Sequence, residues 1–307
     1  MYIHCPCVQV VFMFLERFIQ YIQYEKRYSP HTVSAYQSDL DQFFKFLKDQ
    51  DPDLTQPTEI SYHHIRNWMV HLMADVTARS VNRKIATLRK YFKFLLREGL
   101  ITNNPTSKIQ SPKTVKHLPV VVEDVKLSAL LNDAEVFSDD FEGTRDKLVM
   151  ETLFGTGIRL AELVTLKEQD VSIYEGTIKV LGKRNKERII PINHELKILL
   201  GKYLDLKKSE VFHNNSVTLL VTNKGADVYP KFIYLIVQKY LSYISTQEKR
   251  SPHVLRHTFA TSLLNRGADL NAIKELLGHA NLSATQVYTH NSVERLKSIY
   301  KLAHPKA

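Results

Sequence analysis

From Phe14 onward, apolar residues recur at helical spacing over most of the chain. Val33, Tyr36, Leu40, Phe43 and Leu47 lie three or four apart and form one apolar face. Ser29 and Pro30 precede them as an N-cap and a first-turn proline, where the missing amide proton costs nothing. The turn-rich run DQDPDLTQPTEI separates this helix from a shorter amphipathic segment, HHIRNWMVHLM. Ser80 then reads as the opening of a helix in which Val81, Ile85, Leu88, Phe92 and Leu95 share a face and Gly99 ends it.

Residues 102–119, TNNPTSKIQSPKTVKHLP, carry three prolines and no periodicity, the composition of an exposed connection. The pattern therefore divides the chain into a helical domain over 14–109, a linker over 110–117 and a second domain over 118–307. Helices are expected there around 123–133 and 143–154. GTIKVLGKRNKERIIPI alternates as a hairpin, Thr177 to Leu181 and Arg188 to Ile192 around a turn at 182–187. VTLLVTNKG is a candidate for one more strand, and the pattern is helical from Tyr229 to the end. The expected class is mostly α, with a small antiparallel sheet in the second domain.

Charge narrows the class of partner. Forty-two Lys and Arg against thirty-two Asp and Glu give a net charge of +10, which favours a polyanion because neutralising phosphates releases condensed counterions. On the polar side of the helix after Ser80 stand Arg83, Lys84, Arg89, Lys90, Lys93 and Arg97, with no acidic residue among them before Glu98. Without i,i+4 mates they read as a DNA-backbone face, with Arg83, Lys84 and Lys90 as its candidates; a merely solvated face is the alternative. Cys5 and Cys7, the only cysteines, make neither a disulfide framework nor a closed zinc site, so a reducing compartment is expected. The apolar stretch from Cys7 to Leu15 is too short to span a bilayer, and Met13 is a candidate start.

Five segments of the second domain carry groups suited to phosphoryl transfer: GTGIRLAEL, LGKRNKER, SPHVLRHTFA, ELLGHANL and ATQVYTH. Arg159 follows a glycine turn at the start of a helix, where a guanidinium and unpaired amides suit a phosphate oxygen. His253 and Arg256, three apart behind Ser251 and Pro252, share a helix face, whereas His257 points elsewhere. His279 follows the helix-breaking Gly278, and Tyr288 comes nine residues later. Lys183 lies in the hairpin turn, where a flexible ammonium can deliver a proton. Singly, each has an ordinary alternative: a surface arginine, a packed histidine, a solvated lysine, or one of fifteen tyrosines buried for packing.

In this order and spacing, the five segments resemble the active site of the tyrosine recombinase (phage-integrase-like) superfamily, and the surrounding text is most similar to its Xer subgroup. SPHVLRHTFATSLLNRGADLNAIKELLGHANLSATQVYTH carries that similarity, and YSPHTVSAYQSDLDQFFKFL resembles the N-terminal, SAM-like, DNA-clamping core-binding domain of the family. Ile158, Ala161 and Ala284 depart from its usual residues without touching an acid, base or nucleophile.

The resemblance implies that Arg159 and Arg256 hold the scissile phosphate, Lys183 protonates the leaving 5′-oxygen and His253 assists proton transfer. His279 then stabilises the phosphate and Tyr288 attacks. It implies as partners double-stranded DNA with a short inverted-repeat site, a homo- or hetero-tetramer with a related recombinase, and a septal DNA translocase, in the cytoplasm at the nucleoid. The C-terminal segment SVERLKSIYKLAHP would dock on a neighbouring subunit; packing within its own domain is the alternative. Two arginines and two histidines can supply the fixed charge that many nucleases take from carboxylate-held metals, so neither metal nor cofactor is expected. Other readings are a mobile-element integrase or invertase of the same chemistry, a type IB topoisomerase, and a DNA-binding protein without catalysis.

Overall fold

The chain divides into two compact units, Met1–His117 and Leu118–Ala307. The structure is a computed structural model. It describes residues 14–114, 121–182, 186–212, 216–245, 250–278, 290–304 and 306, with the backbone alone at 290–296.

In the first unit, helix α1 (residues 14–20) runs into a π-helical turn, Tyr21–Glu25. Helices α2 (Pro30–Gln50), α3 (Tyr62–Asp75) and α4 (Ala78–Arg97) follow. Ser29 caps α2, its side chain accepting from the Thr32 amide, and the apolar faces of α2 and α4 are buried as their spacing predicts. Trp68 of α3 closes the core against Phe43, with ring centroids 5.0 Å apart. Ile101 and Ile109, from the connection, are buried in the same cluster.

The α4 helix begins two residues earlier than the Ser80 start expected from sequence, because Thr77 is its N-cap and accepts from the Ser80 amide. Replacing Thr77 with alanine should therefore cost about 1 kcal/mol, read as a shift of the urea midpoint. Ser80→Ala should cost less.

The basic face of α4 is not the unpartnered stripe that its sequence indicates. Asp39, buried on α2, takes Arg83 at 2.5 Å, Lys84 at 3.0 Å and the Thr87 hydroxyl at 2.9 Å. Lys84 is itself buried, and its ammonium also donates to Gln42 at 2.6 Å. It holds two helices together and is not presented to a ligand, which corrects its assignment as a DNA contact. The reason is spatial, since its counter-charge comes from another helix, 45 positions away. Arg83 and Lys90 stay exposed, Lys90 donating to the Tyr28 hydroxyl at 2.5 Å.

The second unit is built around α6 (Phe141–Thr156), which is buried along nearly its whole length. Helices α5 (Asp124–Asn132), α7 (Leu160–Thr165), α8 (His194–Ser209), α9 (Pro230–Ile244), α10 (Pro252–Asn265), α11 (Leu270–Leu277) and α12 (His290–Ala303) complete it. The predicted hairpin is present as β2 (Thr177–Leu181) and β3 (Glu187–Pro191), antiparallel with Ile178 opposite Ile190. The third strand differs from expectation. It is the short β1 (Val171–Ser172) on the free edge of β2, whereas residues 217–225 make only isolated bridges, Thr218 to Lys167 and Val221 to Asp227.

The α12 helix lies on its own unit. Tyr300 is buried and donates to the Gly155 carbonyl at 2.7 Å, and beyond it the Lys306 ammonium pairs with the buried Glu151. Leu302 of the same helix is exposed. Among the described residues, no helix is long and apolar enough to cross a membrane.

Candidate active site

Four helix ends and one strand meet at a cluster of arginines. The α6 helix terminates at Gly157 with φ +61°, and a Cβ there would fall 2.4 Å from Phe259, so the left-handed turn requires glycine for both reasons. Two residues on, Arg159 caps α7. Arg256 comes from the first turns of α10, and Arg188 from the second position of β3.

The C-terminus of α11 organises all three. Its last carbonyls are the negative end of a helix, and each accepts from a different guanidinium. Leu276 takes Arg188 Nε at 2.8 Å, Leu277 takes Arg256 Nη2 at 2.7 Å, and Gly278 takes Arg159 Nη2 at 3.0 Å. Arg256 is further held by the Gly157 carbonyl at 2.5 Å.

Glu162 is the carboxylate among them. It accepts both Arg188 Nη groups at 2.8 Å, Arg159 Nη1 at 2.8 Å and the Arg159 amide at 2.7 Å. Burial pushes its pKa up, but the hydrogen bonds and charge of Arg188, with the bonds from Arg159, outweigh burial and hold the carboxyl at about 2.

A folded-state pKa below the ordinary 4.5 means that the ionised form stabilises the fold. That contribution, about 3 kcal/mol, is complete above the ordinary value and disappears as pH falls towards about 2. Glu162→Gln should lower the melting temperature at pH 7. It should also flatten the decline between pH 5 and pH 2 that the native chain shows, measured by thermal melts across that range.

Three guanidiniums against one carboxylate leave an excess of positive charge in a largely buried site. Its signature is on Arg256, 9% exposed: burial first, then the charges of Arg159 and Arg188, push its pKa down to about 10 against the opposing pull of Glu162. The side chain stays charged at neutral pH, and among the described residues no carboxylate forms an ion pair with it. Arg159 keeps about a third of its side chain open to solvent. Each of the two uses two of its five N–H donors on the described residues around it. An anion with several acceptor oxygens, such as a phosphodiester, fits what remains.

Of the residues that sequence singles out, Arg159 and Arg256 are thus brought together, and His253 stands exposed one turn before Arg256 on α10, with His257 exposed beside it. Lys183, His279 and Tyr288 lie outside the described residues. Glu162 and Arg188 were not among the sequence candidates. A partial signal existed for Glu162, three residues after a helix-opening position as in a capping box. Arg188 carried none, because its partners are 26 and 88 positions away.

The comparisons with known proteins agree with one another. The phage integrase family model matches residues 122–295, and that of the phage integrase N-terminal SAM-like domain matches 15–99. A tyrosine recombinase XerC of Chlorobaculum parvum is 36% identical over 318 residues, covering 95% of this chain and 94% of its own. Another, from Oceanobacillus iheyensis, is 37% identical over 96% of this chain and 97% of its own. Among solved structures, the XerH site-specific recombinase bound to palindromic difH substrate, in its post-cleavage complex, has a TM-score of 0.71. At 21% identity, over 92% of this chain and 82% of that one, it shares the fold. On the family models and the XerC relatives together, the chain belongs to the phage integrase family of tyrosine recombinases.

Proposed function

We propose that this site-specific recombinase cuts and rejoins double-stranded DNA through a 3′-phosphotyrosine on Tyr288, in Xer-type resolution of chromosome or plasmid dimers. The observation that carries the chemistry is the surplus of buried guanidinium charge around Arg256. Phosphodiester exchange needs compensation for negative charge on the non-bridging oxygens, an in-line nucleophile and a proton for the leaving alkoxide.

Arg159 and Arg256 supply the first, anchored by carbonyls so that they need not reorganise during the reaction. The phenol oxygen of Tyr288 forms the new bond to phosphorus as the bond to the 5′-oxygen breaks, and Lys183 protonates that oxygen. His253 assists proton transfer and His279 stabilises the phosphate. The phosphoryl bond is stored covalently, so attack by another strand's 5′-hydroxyl restores DNA without ATP.

Two exchanging duplexes require four such sites, hence a tetramer of this chain or of this chain with a related recombinase, on an inverted-repeat site. The XerC relatives and the XerH complex on palindromic DNA support that assignment. Arg83 and Lys90 are the candidate backbone contacts of the first unit. A cytoplasmic protein working at the nucleoid, activated by a septal DNA translocase, completes the reading.

The test is a nicked suicide substrate carrying candidate inverted-repeat sites. We expect a covalent complex joined to the 3′-phosphate, mapping by mass spectrometry to the peptide that contains Tyr288, in equal yield with and without EDTA. Linkage to another residue or to a 5′ end, or loss of the complex on chelation, would overturn the mechanism.

A further inference from the structure

We propose that Arg188 is a positioning residue for strand cleavage, holding Arg159 and Arg256 in register with one another; this rests on the phosphate-binding reading of those two side chains. Arg188 is 3% exposed and contributes three bonds in two directions. Its terminal nitrogens fork onto Glu162, which in turn fixes both the amide and the guanidinium of Arg159. Its Nε fixes the Leu276 carbonyl, adjacent to the Leu277 carbonyl that holds Arg256 and two residues before the Gly278 carbonyl that holds Arg159. Glu162, Arg159, the α11 terminus and Arg188 therefore form a closed ring of hydrogen bonds, with Arg256 attached to the same terminus.

The guanidinium fits tightly between two glycines. A Cβ on Gly278 would lie 3.1 Å from its Nη1, and one on Gly182 would lie 3.4 Å from the same atom. Stabilisation alone does not call for an arginine here, because a buried ion pair is often replaced by apolar residues at no loss. What the planar fork adds is direction: it sets the orientation of the Glu162 carboxylate, and through it that of Arg159. At 3% exposure Arg188 acts through these neighbours.

A misplacement of about 1 Å in a reacting site can cost about 10²-fold in rate. In single-turnover cleavage of the suicide substrate at saturating DNA, Arg188→Met should be slower than the native chain by about that factor, with DNA affinity within about threefold. Arg188→Lys, which keeps the charge and loses the fork, should fall between them.

The distinguishing measurement uses a substrate with methylphosphonate at the scissile position. One non-bridging oxygen is then replaced by methyl, the group is neutral, and the arginines have less charge to compensate. The deficit of Arg188→Met relative to the native chain should shrink at least tenfold on that substrate, and that of Arg188→Lys should shrink towards native. A deficit equal on both substrates would make Arg188 a structural residue only and overturn the proposal, and Arg188→Lys decides the matter if Arg188→Met does not fold. A native chain that forms no adduct on either substrate overturns the recombinase mechanism itself, and the proposal with it.

Discussion

A chain carrying Tyr288→Phe should bind its DNA site with native affinity and form no covalent complex with a nicked substrate. The change removes one uncharged oxygen, the atom that bonds to phosphorus in the mechanism proposed above. A phenol with an ordinary pKa of about 10 is mostly protonated at neutral pH, and positive charge brought close to a phenol favours its ionisation.

The buried tyrosines of the second unit are poor substitutes. Tyr300 is buried with its hydroxyl committed to the Gly155 carbonyl, and burial pushes its pKa, like those of Tyr203 and Tyr240, well above the usual range. Removing a buried phenol proton and exposing the oxygen to DNA would require opening the core around it. Gel-shift titration and denaturing-gel detection of the adduct, run on the same preparation, separate binding from chemistry. A persistent adduct in Tyr288→Phe would reassign the nucleophile.

What the sequence made legible follows the range of the interactions concerned. Helices α2 and α4 and the β2–β3 hairpin could be read because each is specified by residues within a few positions: Ser29 capping α2, apolar residues at three- and four-residue steps, alternation on either side of a glycine-containing turn. Arg159 and Arg256 were legible as candidates, since each lies at a helix start within a distinctive segment. The partners that hold them were not. Glu162 and Arg188 meet across 26 positions, and the α11 carbonyls are backbone atoms that no residue type advertises.

Lys84 shows the same limit with the opposite outcome. Counted along α4 it lacks an acidic mate, yet Asp39 of α2 supplies one. The strand missed at Val171–Ser172 is two residues long, too short to have a period, while Leu219, Leu220 and Val221 of the run at 217–225 are buried without joining the sheet.

Replacing Arg256 should separate activity from stability. Loss of one donor that meets developing negative charge costs about 10²–10³ in rate, or about 2.7–4 kcal/mol, so Arg256→Ala should slow cleavage by that factor. Its effect on the fold has two opposing parts. Removal leaves the Gly157 and Leu277 carbonyls without a partner, at about 1–3 kcal/mol for each that water cannot reach. It also relieves a buried cation whose pKa is held down to about 10 by burial and by Arg159 and Arg188. A site assembled around surplus charge is strained in the absence of its ligand, and removing that charge commonly returns stability while abolishing function.

The expected result is a melting temperature close to the native one alongside a deep loss of cleavage. Arg159→Ala should lose cleavage comparably but melt lower, because its guanidinium is a direct partner of Glu162 and its removal takes away an attraction. Thermal melts of the free proteins and single-turnover cleavage of the nicked substrate measure the two axes. Equal rates for the native chain and Arg256→Ala would show that the buried charge serves something other than the scissile phosphate.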